Sequence, residues 1–431
     1  PDLAMPFTTL LPAFLIALGA GLVSGAPGGV GAFEVTLLAL LPMAPEAPLL
    51  AAILAYRAIY YAIPAVAGAG LTAWGPSEVE RKRRAVWPAD PELATLAPRA
   101  ESLLIRQGEL TLLPTGNATW VTGRTAHGLV ALFDPLQAEG RVARGKALSA
   151  LMRAAKSEGR LPCLYKCSAR TAAIARHAGF HVLPVAFEAY LDPRGFSLAT
   201  PARAGLRRKL RHATAAGITI TTGTPPLAAM ARVAQQWAAN HGGERGFSMG
   251  RFCPRYIAGQ RTYLAWQGAD LVAFVSFHEG VLEWTLDLMR HATAAPDGTM
   301  HALIAHALAD ASRLGLPRLS LAAVPAAAKR PTAAGISLPR WVAKSGPATR
   351  AANDGAGLAR FKDSFAPAWQ PLYIAAPTRR SLALCAAEIA RAILRPAALS
   401  AQPAPNSDHF HNHDEDYEIA SDPGPWQRKN N

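Results

Sequence analysis

The chain is 431 residues long, enough for two or three domains with real cores, and half of it is hydrophobic while only 17% is charged, below the usual share for a soluble protein. A formal net charge of +14 points to an anionic partner, either nucleic acid or anionic lipid. Cys163, Cys167, Cys253 and Cys385 form no CxxC pair, which argues against a zinc site or a disulfide framework and fits a reducing compartment. The chain opens on Pro1 rather than Met, as expected of a fragment or processed form of something longer.

The first apolar run, FTTLLPAFLIALGAGLV over Phe7 to Val23, is read as a transmembrane helix near the lower length limit, without the basic flank of a secretory signal. In the following SGAPGGVGAFEVTLLALLP, Pro27, Gly28, Gly29 and Gly31 break the helix before Glu34 enters apolar surroundings. Broken backbone and a carboxylate at membrane depth are tolerated where they line a cavity or face protein. A further span, from about Pro48 to Trp74, carries Arg57, with Tyr56, Tyr60, Tyr61 and Trp74 as interfacial anchors. Glu34 and Arg57 either neutralise each other across two helices or sit near the water interface. The cluster Glu80 to Arg84 (ERKRR) then places everything downstream in the cytosol by the positive-inside rule. The chain accordingly divides into transmembrane helices over 1–75 and a basic, Pro-rich connector over 76–104.

Short apolar runs next alternate with helical ones: LTLLP, ATWVTG, GLVALFDP, a helix near Ala147 to Glu158, PCLYKCS, TAAIARHAG and HVLPVAFEAYL. This is an α+β alternation with helices flanking a sheet. A basic helix closes it, GLRRKLRHATAAG, with Leu206 and Leu210 on the buried side and Arg207, Arg208, Lys209, Arg211 and His212 elsewhere. Such a helix grips phosphates or is simply a solvated face. From about Pro226 the order repeats: a helix, the polar loop HGGERGFSMGRF, strands TYLAWQG and LVAFVSFHEG, the strand from Glu283, a helix from Thr299 and the strand RLSLAAV. Two similar acyltransferase-type α+β units in tandem are therefore predicted, over 105–225 and 226–378. A C-terminal helix over 379–396 and a disordered tail over 397–431 follow. His409, His411 and His413 in that tail alternate with other residues and are read as part of an unstructured segment.

The stretch Glu283 to Met300, EWTLDLMRHATAAPDGTM, is the candidate site. An apolar strand carrying Asp287, Arg290 and His291 breaks at Pro296-Asp297-Gly298 and restarts as a helix in which Leu303, Ile304, Ala307, Leu308, Ala311 and Leu314 share a face. Charges set into an apolar strand pair with each other or meet a substrate. A structural ion pair between Asp287 and Arg290 accounts for the pattern equally well.

Several strings together resemble one family, the bacterial phosphatidylglycerol lysyltransferases, also called multiple peptide resistance factors. SGAPGGVGAFE and AYRAIYYAIP resemble the end of that family's flippase region; ERGFSMGRF, DLMRHATAAPDGTM and GLARFKDSFAPAWQPLYIA resemble its synthase domain. The resemblance runs from about Gly21 to Ala376. It implies a tandem GNAT-like cytosolic domain, preceded by transmembrane helices of the bacterial inner membrane, that moves an aminoacyl group, lysyl for choice and alanyl as the alternative, from charged tRNA to the glycerol hydroxyl of phosphatidylglycerol. The product lowers the membrane's negative charge and gives resistance to cationic antimicrobial peptides. Around the reaction site the resemblance places Asp287 and Arg290 as catalytic and Glu244, Arg251, Glu283, His291, Arg360 and Lys362 as substrate-binding, with Arg207, Arg208 and Arg211 on the tRNA backbone. Asp287 then holds or deprotonates the acceptor hydroxyl, or binds the donor amino group. The ester of a charged tRNA is already activated, so transfer needs positioning, a proton acceptor and oxyanion stabilisation, and no metal or nucleotide cofactor. Homo-oligomerisation stays open.

Two rivals remain. An acyl-CoA-dependent N-acyltransferase of the same fold needs a phosphate-cradling Q/R-x-x-G-x-G/A turn; the nearest string, VARGKA over Val142 to Ala147, lacks its first residue, and Asp297 puts a carboxylate where a pyrophosphate would sit. A non-enzymatic membrane transporter remnant with a cytosolic binding module is the other.

Overall fold

The structure, a computed structural model, describes residues 5–25, 29–74, 97, 99–116, 118–328 and 346–394, with side chains described except at 71–74 and 346–354. The expected tail 397–431, its three histidines and most of the connector lie outside the described residues. The chain falls into two compact units, 1–76 and 77–431.

In the first unit the helices Phe7–Val23, Ala32–Leu40 and Glu46–Arg57 are joined by short breaks, and the last runs through a π-helical turn, Ala58–Ala62, into Ile63–Trp74. Small residues allow close approach: a Cβ on Gly29, which sits at φ +65°, would lie 2.9 Å from the Cα of Gly21. Phe14, Phe33 and Tyr56 pack ring against ring beside this contact, while Tyr60 stacks on Tyr56. Arg57 binds the Glu34 carboxylate and lies over the Phe33 and Tyr61 rings, so the neutralised pair is the reading that holds. The second carboxylate oxygen accepts from the Gly31 N–H at 2.7 Å. Among the described residues one helix, Glu46–Gly70, is long and apolar enough to cross a membrane; Phe7–Val23, at 17 residues, falls short of that criterion.

The second unit is built on one eleven-stranded sheet. Its strands are β1 (Thr111–Pro114), β2 (Thr119–Arg124), β3 (Gly128–Leu136), β4 (Leu161–Cys167), β5 (His181–Leu191), β6 (Ile218–Thr222), β7 (Arg261–Gln267), β8 (Asp270–Glu279), β9 (Glu283–His291), β10 (Arg318–Pro325) and β11 (Ala368–Ala376). Their spatial order is β1-β2-β3-β4-β11-β5-β10-β9-β8-β7-β6. The repeat is visible in the pairing. β1, β2 and β3 are antiparallel, and β3 pairs parallel with β4 after the helix Gly140–Ser157. β7, β8 and β9 are antiparallel, and β9 pairs parallel with β10 after the helix Thr299–Arg313. The α+β tandem expectation holds.

The expected boundary at 225 needs correction. The two halves exchange their last strands: β5 pairs with β10, and β11 crosses over to pair with β4 and β5. In addition β6, placed by sequence in the first unit, extends the second by pairing with β7. Period-two alternation marks a strand but does not name its partner, so this exchange leaves no trace in the pattern. The 76–104 connector is also too long as read, because Ala100–Gln107 forms a 3₁₀ helix whose Leu103, Leu104 and Ile105 are buried in the core with Val121, Phe274 and Leu288. The helix Thr299–Arg313 buries Leu303, Ile304, Ala307, Leu308 and Ala311 as expected, but Leu314 caps its end and is 65% exposed.

Candidate active site

Strict alternation would put Asp287 and Arg290 on opposite faces of β9. A bulge between β8 and β9, where the register shifts between Val275 and Phe277, inserts one residue and turns both side chains to the side carrying Leu288 and the helix Leu227–Asn240. They do not pair with each other. Asp287 accepts a hydrogen bond from the Gln260 amide at 2.9 Å and lies 3.6 Å from His278, whose ring meets the Tyr256 hydroxyl at 3.1 Å. Burial opposes the charge on Asp287, yet His278 and the hydrogen bonds from Gln260 and Tyr256 win, holding its pKa below the usual value. Burial and the neighbouring Asp287 carboxylate push the Tyr256 phenol well up. Gly250 of the loop ERGFSMGRF closes over this carboxylate: a Cβ there would lie 2.1 Å from the Asp287 Oδ1.

Arg290 is held from two sides. Its guanidinium donates to both Glu244 oxygens, at 2.5 and 3.3 Å, and lies over the Trp237 ring, its Cζ 3.8 Å from the ring centroid. His291 is not beside Asp287; it is half-buried, its Nδ1 lies 3.1 Å from the Ala292 carbonyl oxygen, and its ring meets His241 edge-on. The histidine on the carboxylate is instead His278, from the adjacent strand.

A second buried polar seam joins the two halves. Lys166 donates to Glu101 at 2.7 Å and to the Ser248 carbonyl at 3.0 Å; Arg99 bridges Glu101 at 2.7 Å and Glu188 at 3.0 Å. Arg318 binds Glu188 and Glu283, and Glu283 also accepts from the Thr285 hydroxyl and the Ala100 N–H. Glu283 is thus occupied in tying the 3₁₀ helix and β10 to β9, a structural post rather than an open substrate ligand. Burial raises its pKa, with the Glu188 carboxylate adding to the effect against Arg99 and Arg318.

Lys362 is 1% exposed, and its Nζ donates to the carbonyls of Ala322 at 3.0 Å and Ala323 at 3.2 Å. These two carbonyls belong to a bulge in β10, where Ala322 takes a φ of 60°; β4 carries the equivalent feature at Lys166, with φ 56°. Burial, with the Lys166 charge next, lowers the Lys362 pKa to about 7 against the pull of Glu188 and Glu101. Glu101 also feels the His278 ring. Arg360, two residues earlier on the helix Gly346–Asp363, is exposed and does not share this setting.

Arg251 is also engaged, paired with Glu109 at 2.7 Å, while its N–H donates to Gln107 at 2.8 Å. On the basic helix Ala204–Ala215, Arg207 donates to the Leu198 and Thr200 carbonyls and Lys209 to both Asp297 oxygens, at 2.8 and 2.7 Å. Arg208 and Arg211 are exposed. Gly298 sits at φ +90°, and a Cβ there would lie 2.0 Å from the Lys209 carbonyl, so the basic helix lies directly across the start of Thr299–Arg313. The place where a pyrophosphate would bind in the second half is filled. In the first half VARGKA lies inside the helix Gly140–Ser157, not at a turn.

The fold is thus an α+β tandem GNAT-like sheet with exchanged last strands, carrying the buried Asp287, Arg290 and Lys362 side chains on its second half. The sequence model of the family described as "Phosphatidylglycerol lysyltransferase, C-terminal" matches residues 97–376, and the chain belongs to this family. It is 27% identical over 281 residues to the phosphatidylglycerol lysyltransferase of Bacillus subtilis strain 168, covering 62% of this chain and 32% of that protein. Over 231 residues it is 29% identical to the lysylphosphatidylglycerol biosynthesis bifunctional protein LysX of Mycolicibacterium gilvum, covering 50% of this chain and 20% of that one. The chain therefore spans at most about a third of the length of these relatives. Among solved structures, L-PGS from Bacillus licheniformis superposes with a TM-score of 0.61 at 25% identity, covering 70% of this chain and 96% of that chain. The C-terminal domain of a lysylphosphatidylglycerol synthetase from Agrobacterium fabrum, at 22% identity and TM-score 0.60, shares the fold over 74% of this chain and 98% of its own.

Proposed function

We propose that the chain transfers an aminoacyl group, lysyl for choice, from aminoacyl-tRNA to a glycerol hydroxyl of phosphatidylglycerol at the cytosolic face of a bacterial inner membrane. In this reading residues 1–75 anchor it as a multi-pass segment. The observation that carries the proposal is the buried Asp287 carboxylate, held ionised by Gln260, Tyr256 and His278, with a buried amine of lowered pKa at Lys362 on the same half of the sheet. A carboxylate of lowered pKa is a weak base but a good ammonium ligand, which supports Asp287 as the anchor for the donor's amino group. An amine titrating near 7 matches proton transfer at physiological pH, which supports Lys362 as the acceptor of the lipid hydroxyl proton.

The hydroxyl oxygen attacks the ester carbonyl as its proton passes to Lys362, the tetrahedral oxyanion collapses, and the tRNA ribose oxygen leaves with the proton returned. Arg290, on the same strand as Asp287 and fixed by Glu244 and Trp237, supplies positive charge for anionic oxygens. Arg208 and Arg211 bind tRNA phosphates, whereas Arg207 shapes their helix. The acyl-CoA reading is disfavoured by the occupied start of the helix Thr299–Arg313. The test is Asp287→Asn: the account expects a folded variant that has lost at least about a hundredfold in transfer rate, and near-normal lipid aminoacylation would remove Asp287 from the site.

A further inference from the structure

The first half carries a surface that the reaction leaves unused. Its helices Gly140–Ser157 and Ala169–His177 lie side by side and contain Arg141, Arg144, Lys146, Arg153, Lys156, Arg170 and Arg176, and neither contains an Asp or Glu. Of the carboxylates at the ends of the longer helix, Glu158 is consumed by Arg124 at 2.6 Å and Arg160 at 3.4 Å, which leaves the exposed N-cap residue Glu139 as the one acid set against seven cations on the two helices. Apart from the half-buried Arg144, all these cations are exposed, and no ion pair holds them among the described residues. Set among them, Val142 is 71% and Met152 39% exposed. Both border an open groove of about 420 Å³ between the two helices, with Arg141, Ile174 and His177. On the other flank of the same helix, Lys146 and Arg153 border a second open groove of about 770 Å³ with Thr115 and Gly116.

From this face we infer a docking surface for an anionic lipid bilayer. The charge is one-sided, as a partner of opposite sign requires. The apolar side chains decide between anions. Aliphatic residues protruding from a cationic helix face enter the headgroup region of a bilayer, whereas an RNA stem, gripped by cations on its phosphates, has no use for Val142 and Met152 standing out among them. The inference draws on the proposed function only in expecting phosphatidylglycerol as the anion, and its test needs no catalysis.

The full chain is reconstituted into vesicles of phosphatidylcholine alone or of phosphatidylcholine with phosphatidylglycerol, and lysine acetylation rates are read by mass spectrometry. On the anionic vesicles Lys146 and Lys156 are expected to label at least about fivefold more slowly, the effect of a single surface cation near an anionic bilayer, while Lys209 on the other basic helix labels equally on both. The triple variant Arg141→Gln, Lys146→Gln, Arg153→Gln is expected to restore Lys156 labelling to the phosphatidylcholine level. Equal labelling of the native chain on both vesicles overturns the inference. Protection of Lys146 and Lys156 by tRNA instead of by anionic vesicles overturns it too and assigns the face to RNA.

Discussion

Gly250 offers a sharp test of the site, because its substitution presses on a single functional group, the Asp287 carboxylate. The residue is buried and its Cβ would stand 2.1 Å from the Asp287 Oδ1 and 2.4 Å from Oδ2. Ordinary contact begins near 3.4 Å, so in Gly250→Ala the carboxylate and the loop must separate by about 1.3 Å. The backbone of Gly250 is not in the left-handed region, so no conformational strain confuses the result. Overpacking of this kind costs about 1–3 kcal/mol of stability, which a melting curve reads directly. A displacement of about 1 Å at a positioning group lowers reaction rates on the order of a hundredfold. The assay is aminoacyl transfer from charged tRNA to phosphatidylglycerol, with Gly259→Ala as control, since a Cβ there meets nothing closer than 4.0 Å. A Gly250→Ala protein that is folded and transfers at the native rate would refute the claim that the Asp287 position governs the reaction.

Two further substitutions separate chemistry from support. Lys362 binds its proton less tightly in the folded chain than in the unfolded one, so the unfolded state holds more protons between pH 7 and 10.5 and stability rises with pH across that window. Lys362→Met should stabilise the protein at pH 6, flatten this rise and abolish transfer; an unchanged pH dependence of the melting temperature would show that the amine is not desolvated. Arg208→Ala with Arg211→Ala should raise KM for tRNA and shallow its salt dependence by about one to two ion equivalents. By contrast Arg207→Ala, which loses its bonds to the Leu198 and Thr200 carbonyls, should lower the melting temperature more than it alters the salt slope.

Local pattern carried much of this architecture. The β9 strand, its break at Pro296 to Gly298 and the helix after it were legible from periodicity and turn chemistry, whereas the pairing of Glu34 with Arg57 was one of two readings that the sequence left open. What was not legible depends on neighbours in space. A one-residue bulge decides which way Asp287 points, and nothing in EWTLDLMRH announces it. His278, Gln260, Trp237, Glu109 and Glu188 read as ordinary strand, helix and loop residues, because their partners are remote in the chain. Similarly, RFK suggested that Arg360 and Lys362 act together, yet residues two apart on a helix face different ways: one is exposed and the other buried. The alternating residues of β5 and β11 fit either half of the sheet, so only the assembled register shows the exchange. The one signal that was available and under-read was Gly250, a glycine in a charged loop with no turn to explain it.

The most direct measurement of the central claim supplies the purified full chain, in membranes containing phosphatidylglycerol, with either lysyl-tRNA or an acyl-CoA thioester, each carrying a radiolabel. Label passing from the tRNA into lipid, with none taken from the thioester, is the predicted result. Label taken from the thioester while the charged tRNA is left intact would contradict the account.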